Sequence, residues 1–339
     1  MQLFISFSIL ILIFFISKFI FKNLKSKFYE KHQKLAGKES IPLIGGIVIF
    51  IYYSYTVSIN DLNFLVISFL ILLLGFFSDN NSIQSPKLRL ILQTLILTTF
   101  IYISDLQIDD LRNDFLNNFL TNYYFGLFFT TFCLLVLING SNFIDGLDGL
   151  NLGYFFIVTF IVFYIARTNN IEIDENKIKV IFYLISFLLI MNIKNFLYLG
   201  DSGSYLIGFI FGVFLIELNN YNYFLSPYYI ALLLWYPAFE NLFSIIRKKI
   251  KKKDPLKPDN NHLHQLLFNF FKKKQVKIIK KFSNFISSLL IIFYNLLIFL
   301  VGSNFLNHTK ILIFLLLINI LNYLIIYFIL KKFSSSNLK

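Results

Sequence analysis

The sequence has almost no cysteine and few charged side chains. Cys133 is the only cysteine among 339 residues, and it lies inside an apolar run. A single cysteine excludes a disulfide framework and a cysteine metal cluster. Charged residues make up 14% of the chain, against about 25% in soluble globular proteins. Since 57% of the residues are hydrophobic and the mean hydropathy is +0.70, most of the chain is expected in lipid.

Long apolar runs take the place of the missing charge. A helix needs about 20 apolar residues to cross a bilayer, and windows of about that length predict about eleven spans. They lie near 3–21, 41–58, 63–78, 87–104, 122–139, 150–167, 178–195, 203–218, 227–246, 283–303 and 310–330. No small-residue cleavage site follows the first run, so we expect it to be retained as a span. The predicted fold is all-α, a polytopic transmembrane helical bundle that forms one domain over 1–339.

The basic residues predict how the bundle is oriented. The formal net charge is +13, and the lysines and arginines cluster at 22–38 and in a basic loop at about 247–281. Such loops stay on the cytoplasmic side, and the predicted span count puts both on that side. The acidic segments near 105–114 and 172–175 and the N-terminus then lie outside, with the C-terminus inside. Basic residues beside spans also attract anionic lipid headgroups, whereas nucleic-acid binding needs a basic folded domain that the sequence lacks.

Four polar clusters interrupt the apolar runs, and the predicted topology puts all of them at the cytoplasmic face. Ionisable groups at membrane depth are costly unless paired, which makes them functional candidates. The first cluster runs from Gly75 to Gln93, with Asp79 at the end of one span. Arg89 and Gln93 are four residues apart and share one face of the next predicted helix. A turn with a capping aspartate explains Asp79 alone equally well.

The second cluster, NGSNFIDGLDGL at 139–150, is the densest. Asp145 and Asp148 are three residues apart on one side of a turn, and the glycines beside them allow a ligand close to the backbone. Carboxylate oxygens suit Mg²⁺, which proteins hold with one or two carboxylates plus substrate phosphate. An Asx-rich turn is the structural alternative. So many polar groups between two spans favour a functional interpretation.

The third cluster is YLGDSGSYLIG at 198–208, in which Asp201 and Ser202 are expected to precede a helix that starts near Gly203. The free N–H groups of that helix would hold a phosphate or orient a carboxylate, and a plain N-cap explains Asp201 as well. In the fourth cluster, DNNHLHQLL at 259–267, the alternation of His262 and His264 suits a short extended or turned segment of the basic loop that presents both to one ligand. A His-x-His pair suits metal or phosphate, and the nearby lysines favour phosphate.

Together these strings resemble the polyprenyl-phosphate N-acetylhexosamine-1-phosphate transferases of glycosyltransferase family 4, which include enzymes that initiate O-antigen and teichoic acid synthesis. NGSNFIDGLDGL fits the family pattern NxxNxxDGxDGL, and YLGDSGS fits FxGDxGS apart from Tyr198 in the Phe position. IPLIGG at 41–46 is similar to PxxGG. The resemblance extends from about Lys38 to Gln265 and implies a helical bundle of ten or eleven spans with a cytoplasmic active-site cleft.

The resemblance also implies roles for the polar residues. Asp201 would be the metal ligand, holding Mg²⁺ or alternatively Mn²⁺. Asn142, Asp145 and Asp148 would line the nucleotide site, and Tyr198 would stack on uracil. The catalytic candidates are Asp79, Asp145, Asp148 and Asp201, and the substrate-binding candidates are Lys38, Arg89, Asn142, Tyr198, His262 and His264.

Three positions depart from the family pattern. The family usually has an Asp-Asp pair in the first cluster, but here only Asp79 is present, with Ser78 before it and Asn80 after it. Gln265 takes the place of the final histidine of HLHH, and Glu240 stands where an aspartate is common. These changes preserve the expected reaction class but leave the general base unassigned.

In the expected reaction, a polyprenyl phosphate such as undecaprenyl phosphate attacks the β-phosphorus of a UDP-N-acetylhexosamine and releases UMP. This step would start lipid-linked polysaccharide synthesis of the O-antigen or capsule type at a bacterial inner membrane. Asp79 is the candidate to deprotonate or orient the lipid phosphate, and double displacement with Asp79 as nucleophile is the alternative. A transporter or lipid flippase is the rival class, although a pathway predicts ionisable groups near mid-span. A non-catalytic family member is a third hypothesis, and the sequence does not indicate the oligomeric state.

Overall fold

The computed structural model describes residues 2–20, 41–56, 62–255, 259–273 and 282–336, together with 276 and 279. These residues form thirteen α-helices. They are α1 (Gln2–Ile20), α2 (Gly45–Thr56), α3 (Leu62–Asp79), α4 (Pro86–Ser104), α5 (Asp114–Leu120), α6 (Tyr123–Ile144), α7 (Leu150–Asn169), α8 (Glu175–Ile193), α9 (Gly200–Tyr221), α10 (Pro227–Ile250), α11 (Leu263–Lys272), α12 (Ser283–Ser303) and α13 (Thr309–Ser336).

Each of the predicted spans coincides with one of these helices, so the predicted all-α bundle is confirmed. In the described part of the chain, nine helices are long and apolar enough to cross a membrane, namely α3, α4, α6 to α10, α12 and α13. Residues 4–20 form a shorter apolar helix, and α2 has 12 residues. Two short helices were not predicted, α5 with 7 residues and α11 with 10. Helix α11 lies inside the segment predicted to be a basic loop.

Helix α9 lies at the centre of the bundle. In its apolar window 89% of the residues are buried, whereas the figure is 22% for α4 and for α13. It packs against α2, α3 and α6. Small residues allow the backbones of membrane helices to approach closely. At Gly208, for example, an added Cβ would lie 2.8 Å from the Cα of Ile138 in α6.

The crossing of α3 and α9 depends on Gly75. An added Cβ at this position would lie 2.5 Å from the backbone nitrogen of Ser202, and closer still to its Cα. Backbone atoms cannot rotate away as a flexible side chain does. Overpacking of this kind costs about 1–3 kcal/mol, so Gly75→Ala should lower the thermal unfolding temperature of the protein in detergent.

Gly126→Ala is the matched control for this prediction. An added Cβ at Gly126 would meet Oε1 of Gln107, the far end of a flexible side chain. Both glycines are helical, so both variants gain similar helix propensity. We expect Gly126→Ala to unfold within about 0.5 kcal/mol of wild type. Equal unfolding temperatures for the two variants would contradict the tight α3–α9 crossing.

The acidic segments meet at one end of the bundle. Arg112 donates hydrogen bonds to the carbonyl oxygens of Tyr223 (2.5 Å), Phe224 (3.1 Å) and Asn307 (3.0 Å). At the same end of the bundle, the backbone N–H of Glu172 donates a hydrogen bond to Oδ1 of Asn222 (2.9 Å). The basic end of α10 lies at the opposite end of that helix. The acidic and basic segments thus lie at opposite ends of the bundle, and the assignment of the basic end to the cytoplasm stays a prediction.

Candidate active site

Several helix ends meet at the basic end of the bundle, and they bring most of the candidate residues together. The C-terminal ends of α3 and α6 meet the N-terminal ends of α4, α9 and α11. Lys38 and the lysine-rich segment around it lie outside the described residues, so their predicted role is untested. Helix ends expose backbone groups that have no partner within the helix. Some of the polar side chains of the site therefore accept hydrogen bonds from these free backbone groups, and those bonds hold the side chains in position.

Asp201 lies at the centre of the site. Its Oδ2 atom accepts hydrogen bonds from Ser78 Oγ (2.5 Å) and from Arg89 Nη1 (3.0 Å). Its Oδ1 atom accepts from Asn142 Nδ2 at 3.0 Å. The Asp201 side chain is 16% exposed, and that of Arg89 is 22% exposed. One partly accessible carboxylate thus joins α3, α4, α6 and α9, and a guanidinium lies directly beside it.

Asp79 closes the N-terminal end of α9. This helix begins at Gly200, not near Gly203 as predicted, so Asp201 lies in its first turn. Oδ1 of Asp79 accepts a hydrogen bond from the backbone N–H of Asp201 (2.8 Å). Oδ2 accepts from the backbone N–H (3.2 Å) and the hydroxyl (2.9 Å) of Ser202. Of the two predicted uses for this helix end, orienting a carboxylate is the one observed.

Gly200 explains why the chain can turn into α9 at this point. Its φ of +70° lies in the left-handed region, which glycine adopts without strain. An added Cβ would also lie 2.7 Å from Oδ2 of Asp79. The GDSGS string therefore needs its first glycine both for the turn and for the approach of the capping carboxylate.

Asp145 directly follows α6 and faces the first turn of α9. Its Oδ2 accepts a hydrogen bond from the hydroxyl of Ser204 at 3.1 Å. Burial raises the pKa of Asp145 well above its usual range, and the nearby charges of Asp201, Asp79 and Asp148 raise it further. The Ser204 hydroxyl acts in the opposite direction. The four aspartates are therefore close enough to interact, as their separate strings did not reveal.

The turn between α6 and α7 is anchored from two sides. The backbone N–H of Asp148 donates to Oδ1 of Asn284 in α12 at 2.9 Å. The N–H of Gly149 donates to Oδ1 of Asn192 in α8 at 2.7 Å, and its φ is +74°. These bonds fix the backbone that carries both carboxylates of the DGLDG string.

The charge balance of this cluster suits a divalent cation. Asp79, Asp145 and Asp201 lie at the start of α9, and among the described residues Arg89 pairs with Asp201. Within the described residues, no group of three or more histidine, cysteine, aspartate or glutamate side chains forms a closed metal centre. Mg²⁺ does not require one, because it commonly takes one or two carboxylates and completes its shell with water and phosphate. Asp201, whose side chain is 16% exposed, is the carboxylate that could hold Mg²⁺ in such an open site.

The two histidines lie at the start of α11 with their rings stacked, 5.6 Å apart and 14° from parallel. His262 Nδ1 lies 3.0 Å from Oε2 of Glu240, and His264 packs against the backbone of Gly146. Gln265, which replaces a family histidine, accepts a hydrogen bond from the N–H of His262 (3.3 Å). Both rings are buried. The histidine segment is thus a packed part of the site.

Tyr198 joins two of the sequence strings. Its N–H donates to the carbonyl of Pro42 (3.0 Å), and its own carbonyl accepts from the N–H of Gly45 (3.1 Å). IPLIGG and YLGDSGS therefore form a short extended contact next to the site. The ring of Tyr198 is buried, and its predicted stacking on uracil is untested.

Arg89 and Gln93 both face the bundle, as their spacing predicted. Gln93 is buried, and its Oε1 accepts a hydrogen bond from Asn139 Nδ2 at 2.9 Å. Asn139 precedes Asn142 by almost one turn of α6. The polar face of α4 therefore continues from the aspartate cluster into the membrane-spanning part of the bundle.

Sequence reasoning gave Arg247 only a role in orientation, but the structure gives it specific partners. Its Nη2 donates to both carboxylate oxygens of Asp259, each at 2.8 Å. Burial alone would raise the pKa of Asp259, but the charges of Arg247, His262 and Lys248 outweigh it and hold that pKa below its usual range. The spacing of Glu240, Ser244 and Arg247 could have indicated these contacts, because the three residues share one face of α10.

Comparisons with known proteins identify the family and the relatives that this chain resembles. The glycosyl transferase family 4 model matches residues 62–219, which include Asp79, Asp145 and Asp201. Three curated relatives are undecaprenyl-phosphate alpha-N-acetylglucosaminyl 1-phosphate transferases. The one from Salmonella typhi is 26% identical over 255 residues, covering 72% of this chain and 68% of the relative. The one from Escherichia coli strain K12 is 27% identical over 256 residues, with coverage of 72% and 68%. The one from Thermotoga maritima is 25% identical over 244 residues, with coverage of 71% and 73%. The chain is therefore similar to the glycosyl transferase family 4 enzymes over residues 62–219, and its described helices make it a multi-pass membrane protein.

Proposed function

We propose that the chain transfers N-acetylhexosamine 1-phosphate from a UDP-sugar to undecaprenyl phosphate, or another polyprenyl phosphate, and releases UMP. The observation that supports this most is the meeting of Asp201, Arg89 and Asn142 at one end of a membrane bundle. A lipid acceptor and a water-soluble donor can both reach a site at helix ends. The curated relatives named above are transferases of this kind.

The residues of the site suit phosphoryl transfer, which depends on alignment and on neutralising charge. Bound Mg²⁺, held by Asp201 with Asp145 nearby, would neutralise the diphosphate of the donor. Arg89 offers a guanidinium next to Asp201 for the transferred phosphoryl group. Asn142 donates to Oδ1 of Asp201 and so fixes the direction in which that carboxylate points.

Asp79 acts in this proposal by holding α9 and Asp201 in place. Both of its oxygens already accept hydrogen bonds from the first turn of α9. A carboxylate engaged in this way is a poor nucleophile, which favours single displacement. Asn142, Asp145 and Asp148 are proposed to line the nucleotide site, and Tyr198 to stack on the uracil.

The histidines and the membrane setting complete the proposal. His262 and His264, which lie within the basic segment at 247–281, would bind a phosphate of the donor. The product would start a lipid-linked cell-envelope polysaccharide at the cytoplasmic face of a bacterial inner membrane. UDP-N-acetylglucosamine or a deoxy relative is the proposed donor, because the relatives named above are N-acetylglucosaminyl 1-phosphate transferases.

The rival transport function finds little support. Among the described spans, the ionisable side chains lie near helix ends, except for Glu240, which is paired with the histidine segment. A transport pathway would need ionisable groups near the middle of several spans. The positions of the charges at helix ends therefore favour a site at a membrane interface over a transport pathway.

The test is UMP release by the purified protein in detergent, with UDP-N-acetylglucosamine, undecaprenyl phosphate and Mg²⁺. We expect release to require all three, to stop on addition of EDTA and to return when Mg²⁺ or Mn²⁺ is restored. If a sample shown to be folded released no UMP from any of a panel of UDP-N-acetylhexosamines, that result would contradict the proposal. It would favour another donor class or the non-catalytic hypothesis.

A further inference from the structure

Glu240 is a fully buried carboxylate within the apolar helix α10. Burying a carboxylate is costly unless its oxygens find hydrogen-bond donors or positive charge. The residue lies three positions after Pro237, which interrupts the regular hydrogen bonding of the helix. The partners of this carboxylate are well defined.

Both oxygens of Glu240 are used by the start of α11. Oε2 lies 3.0 Å from Nδ1 of His262, and Oε1 accepts a hydrogen bond from the N–H of Leu263 at 2.9 Å. The hydroxyl of Tyr236 is a more distant donor to Oε1, at 3.5 Å. The carboxylate therefore satisfies a free N–H of the first turn and at the same time orients the His262 ring.

The contacts continue from His262 to the aspartate turn. The His262 ring stacks on the His264 ring and also contacts the Phe143 ring, at 5.1 Å between ring centroids. Nε2 of His264 lies against Gly146, where an added Cβ would be 2.7 Å from that atom. Gly146 directly follows Asp145. A continuous path of contacts thus leads from α10 to the turn that carries two of the candidate carboxylates.

A second anchor, the ion pair between Arg247 and Asp259, holds the residues just before His262. Nε2 of His262 also lies 3.7 Å from Oδ1 of Asp259. Arg247 fixes the segment before the histidines, whereas Glu240 bonds the histidine segment itself. Of the two anchors, Glu240 is therefore the one that sets the position of the rings.

We propose that Glu240 is a positioning residue, which sets His264 against the Asp145 turn by holding His262 and the first turn of α11. This proposal rests on the proposed function, in which the histidines bind phosphate of the nucleotide-sugar donor. It predicts that changes at Glu240 affect use of the donor and leave use of the lipid acceptor almost unchanged. It also predicts a local effect on α11 that does not depend on turnover.

Glutamine at this position distinguishes a carboxylate requirement from mere packing. Glu240 accepts from the N–H of Leu263 with one oxygen and pairs with His262 through the other. A glutamine has one oxygen and one NH₂ group, so it keeps the first bond only if His262 changes its tautomer to accept at Nδ1. Aspartate keeps both acceptor oxygens, and it is the conservative variant.

The kinetic test compares Glu240→Gln and Glu240→Asp with wild type. We expect Glu240→Gln to raise the KM for the UDP-sugar about tenfold with a smaller change in kcat, the pattern of lost ground-state binding. The KM for undecaprenyl phosphate should stay within about twofold of wild type, and Glu240→Asp should recover most of the donor affinity. Glu217→Gln is the matched control, since Glu217 pairs with Lys177 near the other end of the bundle.

Hydrogen exchange of the substrate-free protein supplies the readout that does not need activity. We expect Glu240→Gln to speed exchange in the first turn of α11 about tenfold, with exchange in α9 unchanged. Faster exchange in α11 while even wild type turns over no UDP-sugar would support the positioning role and contradict the proposed function. An active wild type, with the donor KM and α11 exchange both unchanged in Glu240→Gln, would overturn the positioning role.

Discussion

Replacing Asp201 by alanine should lower kcat by about a thousandfold or more, because a preorganised charge at the transferred group commonly contributes that much. The variant removes the carboxylate on which Ser78, Arg89 and Asn142 converge. It also removes the proposed ligand of Mg²⁺. The measurement is UMP release at saturating UDP-sugar and lipid acceptor, together with the Mg²⁺ dependence of the thermal unfolding temperature.

Asp114→Ala is the control for this variant, since Asp114 is exposed and lies in α5, away from the aspartate cluster. We expect it to keep wild-type turnover. If Asp201→Ala retained more than about a tenth of wild-type activity, the assignment of Asp201 as the centre of the site would be wrong. Such a result would mean that the activation free energy rises by less than about 1.4 kcal/mol.

Asp79 should respond differently, because its proposed task is to cap α9. Asparagine is a good capping residue, whereas replacing a cap by alanine costs about 0.5–2 kcal/mol. Asp79→Asn keeps one acceptor oxygen for the first turn of α9 and should retain about a tenth of wild-type kcat. Asp79→Ala should lower both the unfolding temperature and kcat further, because Asp201 is then no longer held. Thermal unfolding and turnover of both variants check this order.

A nucleophilic Asp79 predicts another result. In double displacement, Asp79→Asn would be as inactive as Asp201→Ala although it remains folded. A phosphorylated enzyme, or UMP release without lipid acceptor, would then be detectable in wild type. Observation of that combination would overturn the capping role and restore the alternative raised by the sequence.

The membrane fold was predictable because its main determinant is local. A run of about 20 apolar residues forms a helix wherever it occurs in a bilayer, so all predicted spans coincide with helices, and nine of the described helices are long and apolar enough to cross a membrane. The start of α9 was predicted three residues too late for a non-local reason. Its first N–H groups are capped by Asp79, which is 122 residues earlier in the chain. Local sequence shows no conventional cap in front of Gly200, so the helix seemed to begin later.

The site was predictable as a set of strings but not as a network. The strings identified Asp145 and Asp201, whose proximity depends on the packing of α6 against α9. Ser78 was noted only as a departure from a family pattern, yet its hydroxyl bonds Asp201 directly. Glu240 was noted in the same way, and its bonds to the histidine segment follow from the return of the chain after α10. Contacts between distant segments are what a single sequence does not specify.

The most direct test of the proposed transfer follows the β-phosphorus of the donor. The purified protein is given UDP-N-acetylglucosamine labelled with ³²P at the β position, together with undecaprenyl phosphate and Mg²⁺, and the products are separated into organic and aqueous phases. We expect the label to move into the lipid phase while unlabelled UMP appears in the aqueous phase. Label that stays in aqueous UDP while the sugar moves to the lipid would contradict it, because the bond broken would then be the glycosidic one.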